Sequence, residues 1–187
     1  MSDDANIHPA IQPVQLQRLY QVSKVIHSTL DQQEALDLIV REAVGLVGAT
    51  TGSVVLINPA DGFLEIQTAH GLPDGSSRLK LRVGEGITGW VAQQGKPALV
   101  PDVREDVRYV RVHDHARSEL AVPLEVNGSV RGVINVDSDQ LNAFSETDQA
   151  LLTELASQAA TVIHNAFLYE RSRIRVDLFE SLITVGQ

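Results

Sequence analysis

The stretch from Val83 to Pro97, V-G-E-G-I-T-G-W-V-A-Q-Q-G-K-P, contains four of the thirteen glycines and the only tryptophan of the chain. Gly84, Gly86 and Gly89 spell G-x-G-x-x-G, the pattern of a dinucleotide-binding loop. Such a loop needs a parallel strand before it and a full crossover helix after it. Here the following helix can make only about two turns before Gly95 ends it, and the flanking segments predict antiparallel hairpins. We therefore interpret these glycines as positions that need a positive φ or a close backbone approach.

The composition is that of one globular domain. A chain of 187 residues with 43% apolar side chains can bury a substantial core. The formal charge of −9 argues against a nucleic-acid surface and against docking on anionic lipid, because both need basic residues. The chain has no cysteine, which excludes a disulfide, a thiol nucleophile and a thioether-linked chromophore. The sequence has no apolar run of about 20 residues and no signal-peptide pattern, so we expect a cytoplasmic protein.

Two helices are predicted in the first quarter of the chain. Residues 1–13 show little periodicity and are interpreted as a disordered lead-in. Apolar residues then recur at three- and four-residue spacing over residues 14–30 and again over residues 35–47. Asp31 and Glu34 form a capping-box pattern between the two segments, so we expect a sharp break there.

The middle of the chain predicts an antiparallel sheet. Short β-branched or alternating segments are separated by turn residues, and Asn127-Gly128 is the strongest hairpin signal. The polar loop from Pro101 to Arg117 is long for a plain connection. The expected strands are Ser53–Ile57, Phe63–Thr68, Arg78–Val83, Pro97–Val100, Glu119–Val126 and Val130–Val136. Together with the helices, this order is an α+β plan.

A long last helix is expected over about residues 146–172, with Ser145 as its cap. Two apolar stripes run along it, and one stripe can cover the sheet while the other is left for a partner helix. We assign the first stripe to a dimer; the alternative is that both are buried within one subunit. The first stripe is Leu152, Leu155, Ala159, Val162, Ala166 and Tyr169, and the second is Ala156, Ala160, Ile163 and Phe167.

Several short motifs follow one another at characteristic spacings. They are Gly84-x-Gly86-Ile87-x-Gly89-x-Val91, Gly95-Lys96-Pro97, Pro101-Asp102-Val103, Ser118-x-Leu120-x-Val122-Pro123-Leu124, Asn127-Gly128, Gly132-Val133-Ile134, and Phe144-x-x-x-Asp148 with Leu151-Leu152 and Ala159. In this order they resemble the GAF domain, a cytoplasmic small-molecule sensor module, and we expect that domain over residues 14–170. The resemblance implies a GAF/PAS-like antiparallel sheet of five or six strands. The terminal helices would pack on one face, and the short helix and polar loop would cover a ligand pocket on the other.

Eight positions are candidates for ligand binding. Thr88 begins the short helix, where a free backbone N–H and a hydroxyl could meet a ligand oxygen. Trp90 is either a core anchor or a pocket wall. The arginines of the polar loop could grip an anionic ligand, or form a charged surface balanced by acids. Glu119, at a strand end, could receive a ligand amine or face solvent. The full set is Thr88, Trp90, Asp102, Arg104, Tyr109, His113, Ser118 and Glu119.

No metal, cofactor or catalytic group is assigned, and the ligand is left unknown. His113-Asp114-His115 cannot place all three groups on one ion, and haem is not favoured. GAF domains that bind cyclic nucleotides carry Asn-Lys and then Phe-x-x-x-Asp-Glu. Asp137-Ser138 and Gln149 depart from that pattern, which weakens a cyclic nucleotide. The free methionine sulfoxide reductase branch and covalent bilin attachment both use cysteine, so neither fits, and no enzyme activity is expected.

The resemblance implies a regulatory sensor that dimerises through its terminal helices and passes the state of its pocket to an output domain. Candidates for that output are a histidine kinase, a cyclic-dinucleotide enzyme or a further GAF domain. Residues 171–187 are interpreted as a signalling-helix linker or the start of a following domain, because Leu178-Phe179-Glu180 resembles Leu19-Tyr20-Gln21. This predicts a piece of a longer protein. The alternative function is a ligand-free dimerisation or scaffold module.

Overall fold

The computed structural model describes residues 13–14, 17, 20, 32–73, 80–111, 115–161 and 163–164. Several predictions fall outside these residues. They are the lead-in over residues 1–12, most of the helix predicted over residues 14–30, the candidate site residue His113, the stripe residues Val162, Ala166 and Tyr169, and everything after residue 164. Residues 13, 14, 17 and 20 are helical.

The described strands form a six-stranded antiparallel sheet in the order β3-β2-β1-β6-β5-β4. This confirms the predicted α+β fold and its antiparallel sheet. The elements are α1 (Gln32–Val47), β1 (Thr51–Ile57), β2 (Phe63–His70), β3 (Leu81–Arg82), α2 (Gly86–Gln94), β4 (Ala98–Val100), β5 (Ser118–Val126), β6 (Ser129–Ser138) and α3 (residues 146–161 and 163–164).

Local chemistry sets the ends of several elements. The β5–β6 hairpin turns at Asn127 and Gly128, whose φ values are 51° and 73°. Two consecutive positive φ values define a type I′ turn, which matches the twist of the strands. Helix α3 begins after Ser145, whose Oγ accepts a hydrogen bond from the backbone N–H of Asp148 at 3.3 Å. The Asp148 carboxylate accepts one from the backbone N–H of Ser145 at 2.8 Å, which completes a capping box.

The glycine-rich stretch is a turn that feeds a short helix. Gly84 and Gly86 have φ values of 93° and 73°, in the left-handed region. A Cβ on Gly89 would lie 2.5 Å from the carbonyl oxygen of Arg82, so this position admits no side chain. The elements on both sides of α2 are antiparallel strands. The glycines therefore shape the backbone, as their context predicts, and are not part of a βαβ unit.

The sheet separates two apolar cores. On one face, α1 and α3 pack against β1, β5 and β6 around buried residues that include Leu36, Ile39, Leu120, Ile134 and Leu155. On the other face, α2 and the polar loop pack over a smaller core that includes Val55, Ile87, Val91, Val103 and Val133. This arrangement places the terminal helix α3 and the short helix α2 on opposite faces, as the resemblance implies.

The assignment of a dimer stripe on α3 is wrong for the residues that the structure describes. Leu152, Leu155 and Ala159 are 0% exposed within the single chain. The described residues of the second stripe are buried too, because Ala156 and Ile163 are each 1% exposed and Ala160 is 4% exposed. Both stripes contribute to the core that α3 shares with α1 and the sheet. The physical reason is that α3 has neighbours of its own chain on two sides, so a wide apolar arc is used within one subunit.

Candidate functional site

A cavity of about 50 Å³ lies between the sheet and the layer formed by α2 and the polar loop. Its lining divides by chemistry. The apolar and aromatic lining residues are Val55, Leu64, Ile66, Leu72, Leu81, Gly86, Ile87, Tyr109 and Val110. The polar lining residues are Ser53, Thr88, Glu119, Asn135 and Asp137. A mostly apolar cavity with a few polar groups, beneath a short helix, is the kind of place where a small ligand can be held.

Four of the polar residues project from the sheet, and we call Ser53, Glu119, Asn135 and Asp137 the polar floor. Ser53 is paired with Asn135 across β1 and β6, and Asp137 is paired with Glu119 across β6 and β5. Directly paired residues point to the same side of a sheet. The register of three strands therefore gathers these side chains under α2.

Hydrogen bonds hold part of the polar floor in place. The Asp137 carboxylate accepts a bond from the hydroxyl of Thr51 at 3.3 Å and from the Asn135 Nδ2 at 3.2 Å. The Asn135 Oδ1 is buried and has no hydrogen-bond partner in the described part of the chain. A buried oxygen without a donor carries a free-energy penalty of about 1–3 kcal/mol. The floor thus keeps one acceptor that a donor group from a ligand or water would satisfy.

Glu119 is the most perturbed ionisable group of the site. Glu119 is only 4% exposed to solvent. Burial raises the pKa of the Glu119 carboxyl well above its usual value, and the nearby Asp137 and Asp106 carboxylates raise it further. Arg108 and a hydrogen bond with Thr88 act in the opposite direction and lower that pKa. The net shift of the Glu119 pKa is upward because burial is the largest of these effects: a carboxylate away from water loses its hydration.

The polar loop is fastened over the site through Arg108. Its Nε donates to Asp106 at 2.9 Å and its terminal nitrogen donates to the same carboxylate at 2.6 Å. This contact lowers the pKa of Asp106. The guanidinium also lies over the Trp90 ring, 4.5 Å from the ring centroid. The cation–π contact therefore joins the loop to α2, and the two-bond ion pair with Asp106, within the loop, holds the guanidinium in position.

The structure brings three of the eight candidate residues together at the cavity: Thr88, Tyr109 and Glu119. Trp90 is not a lining residue; it packs against the smaller core and beneath Arg108. This is the core-anchor position rather than the pocket wall.

The remaining described candidates lie elsewhere. Asp102 accepts a bond from the Arg104 backbone N–H at 3.0 Å and pairs with Arg117 at 3.3 Å. Neither Asp102 nor Arg104 lines the cavity. Ser118 points to the opposite face of the sheet from its neighbour Glu119, since side chains alternate along a strand. Its hydroxyl donates to the carbonyl of Gln140 at 2.8 Å and accepts from the N–H of Ala143 at 3.3 Å.

Sequence reasoning missed three members of the polar floor: Ser53, Asn135 and Asp137. A signal for two of them was present, because Asn135 and Asp137 are polar residues two apart that alternate with the apolar Ile134 and Val136. Such spacing puts both on one face. Their proximity to Glu119 depends on strand pairing, which a single strand does not display.

Two tests for other kinds of site are negative. In the described residues, no group of three or more histidine, aspartate or glutamate side chains is arranged to hold a metal ion. None of the helices in the same part of the chain combines the length and apolar character that crossing a membrane requires.

Comparison with known proteins agrees with this architecture. The family model of the GAF domain matches residues 29–164. The Nif-specific regulatory protein of Azospirillum lipoferum is 30% identical over 132 residues, which are 66% of this chain and 21% of that protein. The chain thus spans about a fifth of the length of this curated relative.

Solved structures show the same fold. The GAF domain of an Acinetobacter phosphoenolpyruvate-protein phosphotransferase superimposes with a TM-score of 0.77 at 24% identity, covering 84% of this chain and 97% of the other. The free methionine-R-sulfoxide reductase of Neisseria meningitidis, solved in complex with its substrate, gives a TM-score of 0.73 at 23% identity, with 83% and 93% covered. The same fold therefore occurs as one domain of a larger phosphotransferase and as a reductase with its own substrate. The function of this chain must be argued from its site and not from its fold.

Proposed function

This chain belongs to the GAF-domain family, and we propose that it is a regulatory sensor that binds a small molecule between α2, the polar loop and the sheet. The observation that carries the proposal is the partly polar cavity, with the buried carboxyl of Glu119 on its floor. A domain that served only as a spacer would have no reason to bury an ionisable group there, because that burial costs free energy unless a partner offsets it. The proposal includes a cytoplasmic location.

A route from the cavity to α3 supports the regulatory part of the proposal. Glu119 lies on the cavity face of β5, and the adjacent Ser118 lies on the other face. Ser118 is bonded to Gln140 and Ala143, in the segment that leads directly to the cap of α3. A ligand that shifts Glu119 would therefore shift the contacts of Ser118 at the start of α3. For this to be a signal, the ligand must favour one of two arrangements of that segment.

We propose that the output lies outside this domain, in a histidine kinase, a cyclic-dinucleotide enzyme or a further GAF domain. The Nif-specific regulatory protein supports this organisation, because its matching region is 21% of a longer regulatory protein. Self-association through the terminal helices is a separate proposal. It would use residues other than Leu152, Leu155 and Ala159, and sedimentation over a range of concentrations tests it.

We further propose that the domain is not itself an enzyme. The Neisseria neighbour is a reductase of free methionine-R-sulfoxide. The present chain of 187 residues contains no cysteine, so it has no thiol that could be oxidised in such a reaction. We expect no consumption of methionine-R-sulfoxide by the purified chain in the presence of dithiothreitol. Turnover above the protein-free rate would refute this part.

Native mass spectrometry of freshly purified protein and a thermal-shift screen test the sensor. A bound small molecule, or a compound that raises the melting temperature with dose, supports it. Ile66→Trp should fill the cavity and abolish that binding, since Ile66 lines it. Gln67→Trp is the matched control, because Gln67 is exposed and does not line the cavity. Equal binding by both variants would place the ligand elsewhere.

A ligand-free scaffold module is the second candidate, and the small size of the cavity favours it. Ligand pockets commonly measure about 300–1,000 Å³, whereas this one measures about 50 Å³. On this alternative, side chains and a few waters fill the space. The screen then finds no stabiliser, and Ile66→Trp stabilises the fold by filling the cavity instead of removing a function.

A further inference from the structure

The cavity floor is rich in hydrogen-bond acceptors. Glu119 and Asp137 are directly paired across β5 and β6 and are 4% and 6% exposed. No lysine or arginine is among the described residues that line the cavity. Arg108, whose guanidinium acts on Glu119, is held by both oxygens of Asp106. Two carboxyl groups thus lie side by side where the surrounding lining offers hydroxyls and an amide.

A second observation points to a donor from outside the chain. The Asn135 Oδ1 is buried on the same floor and has no hydrogen-bond partner in the described part of the chain. The amide nitrogen of Asn135 donates to Asp137, which fixes the orientation of the group. Buried polar atoms are nearly always satisfied. A ligand with N–H groups would satisfy this oxygen.

The size of the cavity limits what its floor can hold. A single water needs about 10–15 Å³ measured in this way, so a cavity of about 50 Å³ takes a ligand of roughly three to five non-hydrogen atoms, head group and stem together. Leu64, Ile66, Leu81 and Ile87 form apolar walls, which suit a short hydrocarbon stem behind that head.

From these features we infer that the polar floor binds a small organic cation with several N–H donors, of the guanidinium, amidinium or primary ammonium class, on a short apolar stem. The inference rests on the proposed sensor function and names the ligand class of the same site. The N–H groups donate to Glu119, Asp137 and the Asn135 Oδ1. A planar guanidinium or amidinium matches two neighbouring carboxyl groups in both charge and geometry.

Proton release accompanies binding. Burial and the neighbouring carboxylates of Asp137 on β6 and Asp106 on the loop favour the protonated form of Glu119, while Arg108 on the loop and Thr88 on α2 favour the ionised form. When the cation enters, Glu119 gives its proton to solvent and remains as a carboxylate paired with the ligand. The affinity for the cation therefore increases as the pH rises towards the folded-state pKa of Glu119.

The test is a titration of the ¹⁵N-labelled full chain, followed by backbone amide shifts. The probes are methylguanidinium and ethylammonium, with tetramethylammonium as a cation that lacks N–H donors and propionate as an anion of similar size. We expect saturable shifts around Thr88, Glu119 and Asn135 with the first two probes only. Glu119→Gln should weaken binding about 10- to 100-fold, the usual value of a hydrogen bond to a charged group. Glu125→Gln, an exposed residue of the same strand, should leave it unchanged.

The possible outcomes distinguish a failure of the proposed ligand class from a failure of the proposed sensor function. Asp137→Asn is the second variant should Glu119→Gln not fold, and it is expected to weaken methylguanidinium binding likewise. If tetramethylammonium binds with the same affinity as methylguanidinium, the role of the N–H donors is overturned. Propionate in the cavity, with no shift from either N–H cation, would overturn the ligand class while leaving the sensor intact. An empty cavity in native mass spectrometry, with no probe shifting these residues, would refute both.

Discussion

The buried carboxyl of Glu119 should make the stability of this domain fall as the pH rises. Its ordinary pKa is 4.5, and burial beside Asp137 raises the folded-state value well above that. A group whose pKa is raised by folding stabilises the protein fully below its unfolded pKa, and this contribution is lost as the pH rises towards the folded pKa. Glu119→Gln keeps the shape of the side chain and removes the titration.

The pKa shift sets the size of the difference in the free energy of unfolding between the Glu119→Gln variant and the parent. Each unit of separation between two pKa values corresponds to about 1.4 kcal/mol. The variant should therefore gain up to about 1.4 kcal/mol in the free energy of unfolding, relative to the parent, for each pH unit above about 4.5, until the folded pKa is passed. Asp106, whose pKa is lowered, titrates on the acid side of this window, so its contribution stays constant within it.

Urea denaturation between about pH 4.5 and 8.5, followed by far-UV circular dichroism, measures the difference. Glu125→Gln on the same strand is the control, because Glu125 is exposed and should show no such pH dependence. A constant difference between the Glu119→Gln variant and the parent over the whole range would refute the reasoning. It would mean that Glu119 is solvated in the folded state, which would also remove the basis for the polar floor as a buried site.

Three further predictions concern packing. Gly132→Ala places a Cβ 2.2 Å from the carbonyl oxygen of Val55, so we expect it to lower the free energy of unfolding by about 3 kcal/mol or more in urea denaturation. Gly128→Ala is the control. Its Cβ meets no atom within 4 Å and strains only the turn, so the loss should be about 1–2 kcal/mol. Arg108→Ala should uncover the ring of Trp90, the only tryptophan, and shift its fluorescence to longer wavelength; the exposed Arg104→Ala is the control, and an unchanged spectrum would argue against the stacked arrangement. Leu155→Ala should lower the free energy of unfolding by about 2–5 kcal/mol, because it leaves a cavity in the core, and it should not change the sedimentation coefficient. Loss of an oligomer at unchanged stability would show instead that Leu155 lies in a subunit interface.

Much of the fold was predictable because its signals are local. The turn at Asn127-Gly128 needs two positive φ values, and those residue types supply them at low cost. Gly95, with a φ of 62°, ends α2 where the sequence indicated. The capping box at Ser145 is formed by residues three apart. Each of these features depends on the residues next to it in the chain, so a pattern in the sequence is enough to indicate it.

The candidate site was predictable only in part. Thr88, Tyr109 and Glu119 were selected, and they meet at the cavity. Asp102 and Ser118 were selected by their place in the motifs, yet their side chains serve the loop and the turn before α3. A motif marks a position along the chain and does not say on which side of a strand a polar group lies. The side is set by which alternate residues of the strand face the core, and this follows from how the strand is paired in the sheet.

The sequence by itself determined the order of helices and strands, the antiparallel plan, the family, and the exclusion of thiol chemistry, because these depend on periodicity, turn residues and composition. The tertiary structure decided two other matters. It brought Ser53, Asn135 and Asp137 beside Glu119 through the register of three strands, and it buried the described residues of both α3 stripes within one subunit. Register and burial are settled by contacts between residues far apart in the chain, and no local pattern contains them.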